Sequence, residues 1–488
     1  MDFLEISAKV SAALSSAKRP EKLELADILD KAATLSGLTI EESAKLLLAD
    51  GEDELRLITG AAGRVKQAVY GPRVVLFAPL YLSNYCSNDC LYCGFRKSNK
   101  AARRKALSPA EAVEQARLLS SRGFQRLLLV AGEHPAKYGL EYITEIAHEI
   151  YAKTDIRILH VNNAPLSVED FRTLKQAGFG VYQCFQETYH PETYAKMHPS
   201  AKKKDYAFRL GAMDRALEAG FGDVGIGALL GLYDYRFDVL ATIAHSQHLE
   251  AVFGAAAHTI SVPRHRHAEG SPITTAPYPV SEDEFKKIVA VYRLAVPYAG
   301  VVVSTREPAA LREEVLDAGA SQISAGSSVE PGGYDEKPSP PAPLPAPTLP
   351  SPAGGEGKRN GPLRGEGSMN SCGSTAQFEV YDHRGLSEMV RVVAERGLLP
   401  SLCTSCYRSG RQGDRFLKAV SSGAMKDICT PNAILSLKEY IIDSAPAGDR
   451  PLLEETLKRF VSEMDRPLKA DLLEKLALIE KGARDLKY

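Results

Sequence analysis

The sequence predicts a (β/α)8 barrel, with a helical extension before it and a small, mainly helical domain after it. Three observations predict this. Eight short apolar runs alternate with amphipathic segments between about 71 and 336. The first run, Val74-Val75-Leu76-Phe77, leads directly into a cysteine-rich loop, and a barrel carries its chemistry where strands end. The chain has 488 residues, too many for one ordinary core, so material is left at both ends. An open doubly wound sheet is the other reading of the alternation; the count of eight favours the barrel.

Residues 1–70 place apolar residues three and four apart in Pro20–Leu29 and Thr39–Leu48, which predicts helices. The strand candidates are 73–78, 126–131, 156–161, 180–185, 223–228, 256–261, 300–304 and 321–325. Helical stretches such as those starting at Ser108 and Tyr206 lie between them. Residues 337–375 are rich in proline and glycine, cannot bury a core, and are predicted to be a disordered insertion. Residues 376–488 return to helical periodicity and are predicted to form a small helical domain set over the mouth of the barrel.

Cys86, Cys90 and Cys93 are spaced C-x3-C-x2-C. Three thiolates hold three irons of a cubane cluster and leave the fourth open to a small molecule. Cys403, Cys406 and Cys429 form a second three-thiol set, C-x2-C-x22-C. Zinc competes for any CxxC pair, but a closed zinc site needs a fourth ligand. No histidine or cysteine lies between Cys406 and Cys429, and the nearest upstream histidine is His383. The spacing therefore favours a second cluster. Cys184, in an apolar run, reads as a packed thiol. Cys372 reads as incidental.

The charges nearly balance at -1, with no broad basic stripe, so nucleic acid is not expected as the main partner. Met-Asp-Phe-Leu-Glu at the start is not a secretory signal, and no run of 18 apolar residues predicts a membrane span. Unpaired cysteines in cluster spacing predict a reducing cytoplasm.

With the cysteine triplet after the first strand, the chain resembles the radical S-adenosylmethionine (SAM) superfamily. Within it the chain is similar to the tyrosine lyases of [FeFe]-hydrogenase maturation. Residues 82–95, 130–135, 225–236, 258–264 and 304–307 carry the likeness, and most specifically 403–413 with 429–434. It covers nearly the whole chain except the proline-rich insertion. The thiamine-pathway tyrosine lyases share the barrel but lack the C-terminal motif. The insertion departs from the family pattern, as does Phe208, where tryptophan is common.

The resemblance implies that Cys86, Cys90 and Cys93 hold a [4Fe–4S] cluster that binds SAM. Glu133 would receive the SAM amino group, and Gly225, Ile226 and Gly227 would lie against its adenine. Arg306 would grip the carboxylate of L-tyrosine. Cys403, Cys406 and Cys429 would hold an auxiliary [4Fe–4S] cluster, with His258 on an extra iron. The implied reaction cleaves tyrosine at Cα–Cβ to p-cresol and dehydroglycine, then yields carbon monoxide and cyanide. Implied partners are an electron donor such as ferredoxin or flavodoxin and other hydrogenase maturation proteins. The alternatives are a loop acid for Glu133, packing glycines for Gly225 and Gly227, a surface ion pair for Arg306 and, as the residues alone favour, a structural histidine for His258. Arg264, His265, Arg266 and His267 read as a solvated cationic loop. A 2-iminoacetate synthase of thiamine synthesis and a non-catalytic iron–sulfur carrier are the alternative functions.

Overall fold

The computed structural model describes residues 3–334 and 375–488, with side chains from residue 6 onward. Of the predicted insertion, only residue 375 is among them, and Cys372 lies outside the described residues.

Four helices come first, as predicted: α1 (Phe3–Ser16), α2 (Lys22–Ala33), α3 (Ile40–Leu48) and α4 (Glu52–Tyr70). Thr39 and Glu42 start α3 with a capping box: the hydroxyl accepts the Glu42 N–H and the carboxylate accepts the Thr39 N–H. α1 packs on the barrel helix Tyr235–Phe253, and α4 packs on the helix Glu282–Ala295. The apolar faces of these four helices thereby join the core of the barrel.

The barrel strands are β1 (Arg73–Ser83), β2 (Arg126–Ala131), β3 (Ile158–Asn162), β4 (Val181–Gln183), β5 (Asp223–Gly227), β6 (Thr259–Ser261), β7 (Gly300–Val303) and β8 (Gln322–Ser324). All are parallel. β8 pairs with β1 and β1 with β2, so the sheet closes, and the open-sheet alternative is set aside. Each strand overlaps a predicted run. They read as near-continuous apolar segments because helices cover one face and the barrel interior the other.

A ninth strand, β9 (Leu399–Ser401), corrects the reading of 376–488 as helical alone. It pairs with Arg73–Val75 of β1. β2 meets β1 only from Ala78 onward, so β9 takes the edge that β2 leaves free. A three-residue run carries no alternation to detect, and Pro400 argues against a strand. The strand carries the C-terminal region to the starts of the barrel strands. There the Gln412 amide donates to the Gly180 carbonyl (3.2 Å) and the Gly413 N–H to Asp223 Oδ1 (3.3 Å). The mouth covered by this region is therefore opposite the first cysteine loop.

Barrel interiors are ordinarily filled by branched apolar side chains. Here the polar side chains Asn162, Gln183, Ser261, Ser304 and Ser324 stand among the lining, and a cavity of about 180 Å³ opens toward the ends of the strands.

Candidate functional site

Cys86, Cys90 and Cys93 all line that cavity, on the loop that follows β1. The loop is tied to the end of β2. The Ser87 N–H and hydroxyl both donate to the Glu133 carbonyl (2.9 and 2.8 Å), and the Asn88 amide donates to Glu133 Oε2 (2.7 Å). Gly132 allows this approach, since a Cβ there would stand 2.3 Å from the Tyr85 carbonyl oxygen. The Phe95 N–H donates to Cys93 Sγ (3.4 Å).

Glu133 is not an exposed loop acid. Its Oε1 pairs with Arg209 (2.9 Å), and Lys203 stands 4.0 Å away. Burial opposes its ionisation, but Arg209, Lys203 and Asn88 outweigh burial and hold the carboxyl below its ordinary value. Glu187 completes the cluster, 2.7 Å from Lys203 and 3.7 Å from Arg209. Its backbone has φ +70°, a strained conformation for glutamate, which places it in the cavity wall. Sequence reading missed Glu187, Lys203 and Arg209, whose partners lie far away along the chain.

Arg306 lines the same cavity just beyond β7. Its guanidinium stacks on Phe378, 3.3 Å from the ring centroid. Burial lowers its pKa from the ordinary value. Among the described residues it makes no ion pair, unlike Lys203 and Arg209. Residues 376–384 cross the cavity mouth: Gln377 and Phe378 line it, and the Tyr81 hydroxyl donates to Gln377 Oε1 (2.8 Å).

Gly225, Ile226 and Gly227 are not in the cavity lining. A Cβ at 225 would stand 2.5 Å from Thr259 Oγ1, and one at 227 would stand 2.7 Å from the Ser261 carbonyl oxygen. Strand packing alone requires both glycines, and Ile226 is buried in the core. The reading of 264–267 as a solvated loop is also corrected. Arg264 and Arg266 both pair with Glu307, which is fully buried, and His265 is buried as well. Cys184 is buried in the core, as predicted, and Phe208 is exposed beneath the Arg215 guanidinium.

The second thiol set stands at the other end of the barrel. Cys403 follows β9, Cys406 lies in the short helix Ser405–Arg408, and Cys429 is in the helix Met425–Asp443. The Ser405 N–H donates to Cys403 Sγ (3.3 Å). The neighbouring Cys406 side chain holds the Cys429 thiol down at about 7; burial opposes this, and Arg73 supports it. Cys429, with burial, keeps Cys406 well above its ordinary value. His258 stands just before β6. Its Nε2 is 3.0 Å from the hydroxyl of Tyr407, the neighbour of Cys406, and its Nδ1 is 3.3 Å from Asp223 Oδ1. His160 and Arg126 also face the Tyr407 ring, and neither carried a sequence signal.

Comparison with known proteins agrees with this geometry. The radical SAM superfamily profile matches residues 80–244, and that of the biotin and thiamin synthesis associated domain matches 261–399. The 2-iminoacetate synthase of Escherichia coli K12 is 34% identical over 307 residues, 63% of this chain and 80% of that protein. A crystal structure of HydG, a maturase of the [FeFe]-hydrogenase, superposes with TM-score 0.90 at 41% identity and covers both chains fully. HydG from Carboxydothermus hydrogenoformans gives 0.80 at 36% identity, over 98% of this chain and all of that one. The chain belongs to the radical SAM superfamily, in the branch of HydG and the 2-iminoacetate synthases.

A radical SAM domain implies a [4Fe–4S] cluster and SAM, and the upper thiols fit such a cluster. Burial pushes Cys86 and Cys93 to about 11 and Cys90 to about 12, so each needs a nearby positive centre to ionise. Iron supplies one. Among the described residues no three His, Cys, Asp or Glu side chains converge as a single ion requires. A cubane seats each thiolate on its own iron and accepts a wider spread. No helix among the described residues is long and apolar enough to cross a membrane.

Proposed function

We propose that this chain is a radical SAM lyase that cleaves L-tyrosine at Cα–Cβ to p-cresol and dehydroglycine. Dehydroglycine then yields carbon monoxide and cyanide at the second thiol set, for assembly of an [FeFe]-hydrogenase. The observation that carries the reading is Arg306, a cavity guanidinium with no ion-pair partner among the described residues, in the same cavity as the first three cysteines.

Arg306 takes the tyrosine carboxylate through two parallel hydrogen bonds, and Phe378 holds the guanidinium plane. The apolar cluster of Tyr81, Phe95, Val130, Val329 and Phe378 offers the phenol ring its slot. Glu133 and Glu187, interleaved with Lys203 and Arg209, complement the ammonium and carboxylate of SAM. Asn88 couples Glu133 to the cysteine loop, so the cofactor and its thiolates share one rigid frame. When bound, the first cluster and SAM supply the 5′-deoxyadenosyl radical, and the second cluster supplies an iron site for the final products. His258 would hold the extra iron there, with Asp223 Oδ1 3.3 Å from Nδ1 on the far side of the ring, where carboxylates stand behind ligand histidines.

The test is an anaerobic product assay on iron- and sulfide-reconstituted protein with SAM, dithionite and carbon-labelled tyrosine. The proposal expects p-cresol with labelled carbon monoxide and cyanide. p-Cresol alone makes the chain a 2-iminoacetate synthase, the reading favoured by the Escherichia coli relative. SAM cleavage without p-cresol removes tyrosine as the substrate.

A further inference from the structure

We propose that the exposed basic face beside the first cysteine loop is the docking surface for an acidic one-electron carrier protein. The inference rests on the reading of the upper cavity as a radical SAM site. It adds where the electron enters and what recognises its carrier.

The chain as a whole is balanced, yet residues 96–105 contain six cations and no acid. Two of the six serve the fold. Arg96 pairs with Asp89 (3.0 Å), and Arg104 donates to the carbonyls of Asn84 (2.6 Å) and Phe95 (2.7 Å). Lys97, Lys100 and Arg103 are exposed, and among the described residues none has an acidic partner.

This turn is fastened to the cysteine loop. The Ser98 N–H and hydroxyl donate to Asp89 Oδ1 (3.1 and 2.7 Å), and the Lys97 N–H donates to the Asn88 carbonyl (2.8 Å). A second basic turn, Lys202–Lys204, is held at the same point by the Lys203 N–H on Asn88 Oδ1 (3.1 Å). Lys203 enters the cavity, while Lys202 and Lys204 stay exposed. Asn88 lies between Cys86 and Cys90, so both basic turns meet beside the thiols. Of the nearby acids, Asp89 is engaged as above and Asp205 caps a helix by accepting the Phe208 N–H (2.9 Å), while Glu269, whose carbonyl accepts the Asn99 amide (2.8 Å), also borders the turn and leaves the cations in excess.

The basic turns are hydrogen-bonded to the cysteine loop itself, so a carrier docked on them stands beside the cavity's thiols. A positive face there steers an acidic carrier and raises encounter rates by about 10- to 1000-fold at low salt. In the step itself one electron leaves the carrier, which is oxidised, and enters the iron–sulfur site, which is reduced. No bond forms or breaks.

Flavodoxin, an acidic flavoprotein, is the probe. Its binding to cluster-loaded protein is measured by titration calorimetry at about 50 and about 500 mM salt, where charge screening differs strongly. Wild-type affinity should fall at least about tenfold across that range. The triple reversal Lys97→Glu, Lys100→Glu, Arg103→Glu should bind at least about tenfold more weakly at low salt. The matched reversal of Lys9, Lys22 and Lys458, exposed elsewhere, should stay within about twofold. If the reversed protein loses iron or folds poorly, the corresponding glutamine variants should show a smaller loss in the same direction. Unchanged binding by a folded variant overturns the proposal, and so does a wild type that does not bind. Formation of 5′-deoxyadenosine separates this from the functional reading. The variant should slow the flavodoxin-driven rate and leave the dithionite-driven rate intact. A wild type inactive with dithionite refutes the reading of the upper cavity, and the binding data still decide the docking face.

Discussion

Replacing Asp238 by asparagine should flatten the pH dependence of stability. Asp238 lies on the helix Tyr235–Phe253 and is fully buried. Its Oδ1 accepts the Thr188 hydroxyl (3.0 Å) and the Tyr189 N–H (2.7 Å), while Oδ2 has no partner. Those two residues directly follow Glu187, so this carboxyl clamps the strained turn that puts Glu187 in the cavity. Burial raises its pKa from 3.8 to about 7; the two hydrogen bonds oppose burial, and Asp234 adds slightly. A raised folded pKa contributes stability that is fully present below the unfolded value and is lost as pH rises through the folded one. At about 1.4 kcal/mol per pH unit, that gap is on the order of 4 kcal/mol, lost between about pH 4 and 7. Asparagine keeps an acceptor for both donors and does not titrate. His245, which burial holds down at about 4, acts in the opposite direction, losing stability as pH falls through that value. It is present in both proteins and cancels in their difference. The assay is anaerobic thermal unfolding of the two cluster-loaded proteins from about pH 5 to 8. The asparagine protein should gain on the wild type as pH rises to about 7 and hold a constant difference above it. Parallel curves across that range would refute the assignment of the titration to Asp238.

Arg306→Gln should lower kcat/KM for tyrosine by about ten- to a hundredfold, as loss of a charge-assisted pair does, with the affinity for SAM unchanged in a direct binding titration. Cys403→Ala should remove iron from the second site while p-cresol formation persists; iron quantitation together with product analysis checks it. Gly225→Ala should destabilise the barrel by about 1–3 kcal/mol through overpacking against Thr259, and adding Thr259→Ala should restore part of it in chemical unfolding.

The eight barrel strands were legible because each is an apolar run between a loop and an amphipathic helix, a pattern written locally. Both cysteine sets stood out by spacing, while Glu133 and Arg306 were singled out through the family resemblance, and both line the cavity with the first set. The charge cluster was not, because Glu133, Glu187, Lys203 and Arg209 converge only once β2, β4 and the turn at Lys202–Lys204 have come together. Gly225 and Gly227 suggested room for a ligand, whereas neighbouring strands occupy that room. β9 is too short for periodicity to register, and without it nothing indicated that the second thiol set faces the opposite end from the first.

The pairing of β9 with the start of β1 also has a temporal side. Arg73 leaves the ribosome early, and its partner Leu399 only after the rest of the barrel has been made. Until then, the edge of β1 below Ala78 offers unpaired backbone groups, the kind of template on which foreign strands add. Closing it is among the most non-local contacts in the chain, and such contacts form slowly. The nascent protein therefore carries a complete upper cysteine loop on a barrel whose lower edge is still open, and the arrival of the C-terminal segment both seals that edge and creates the second thiol set.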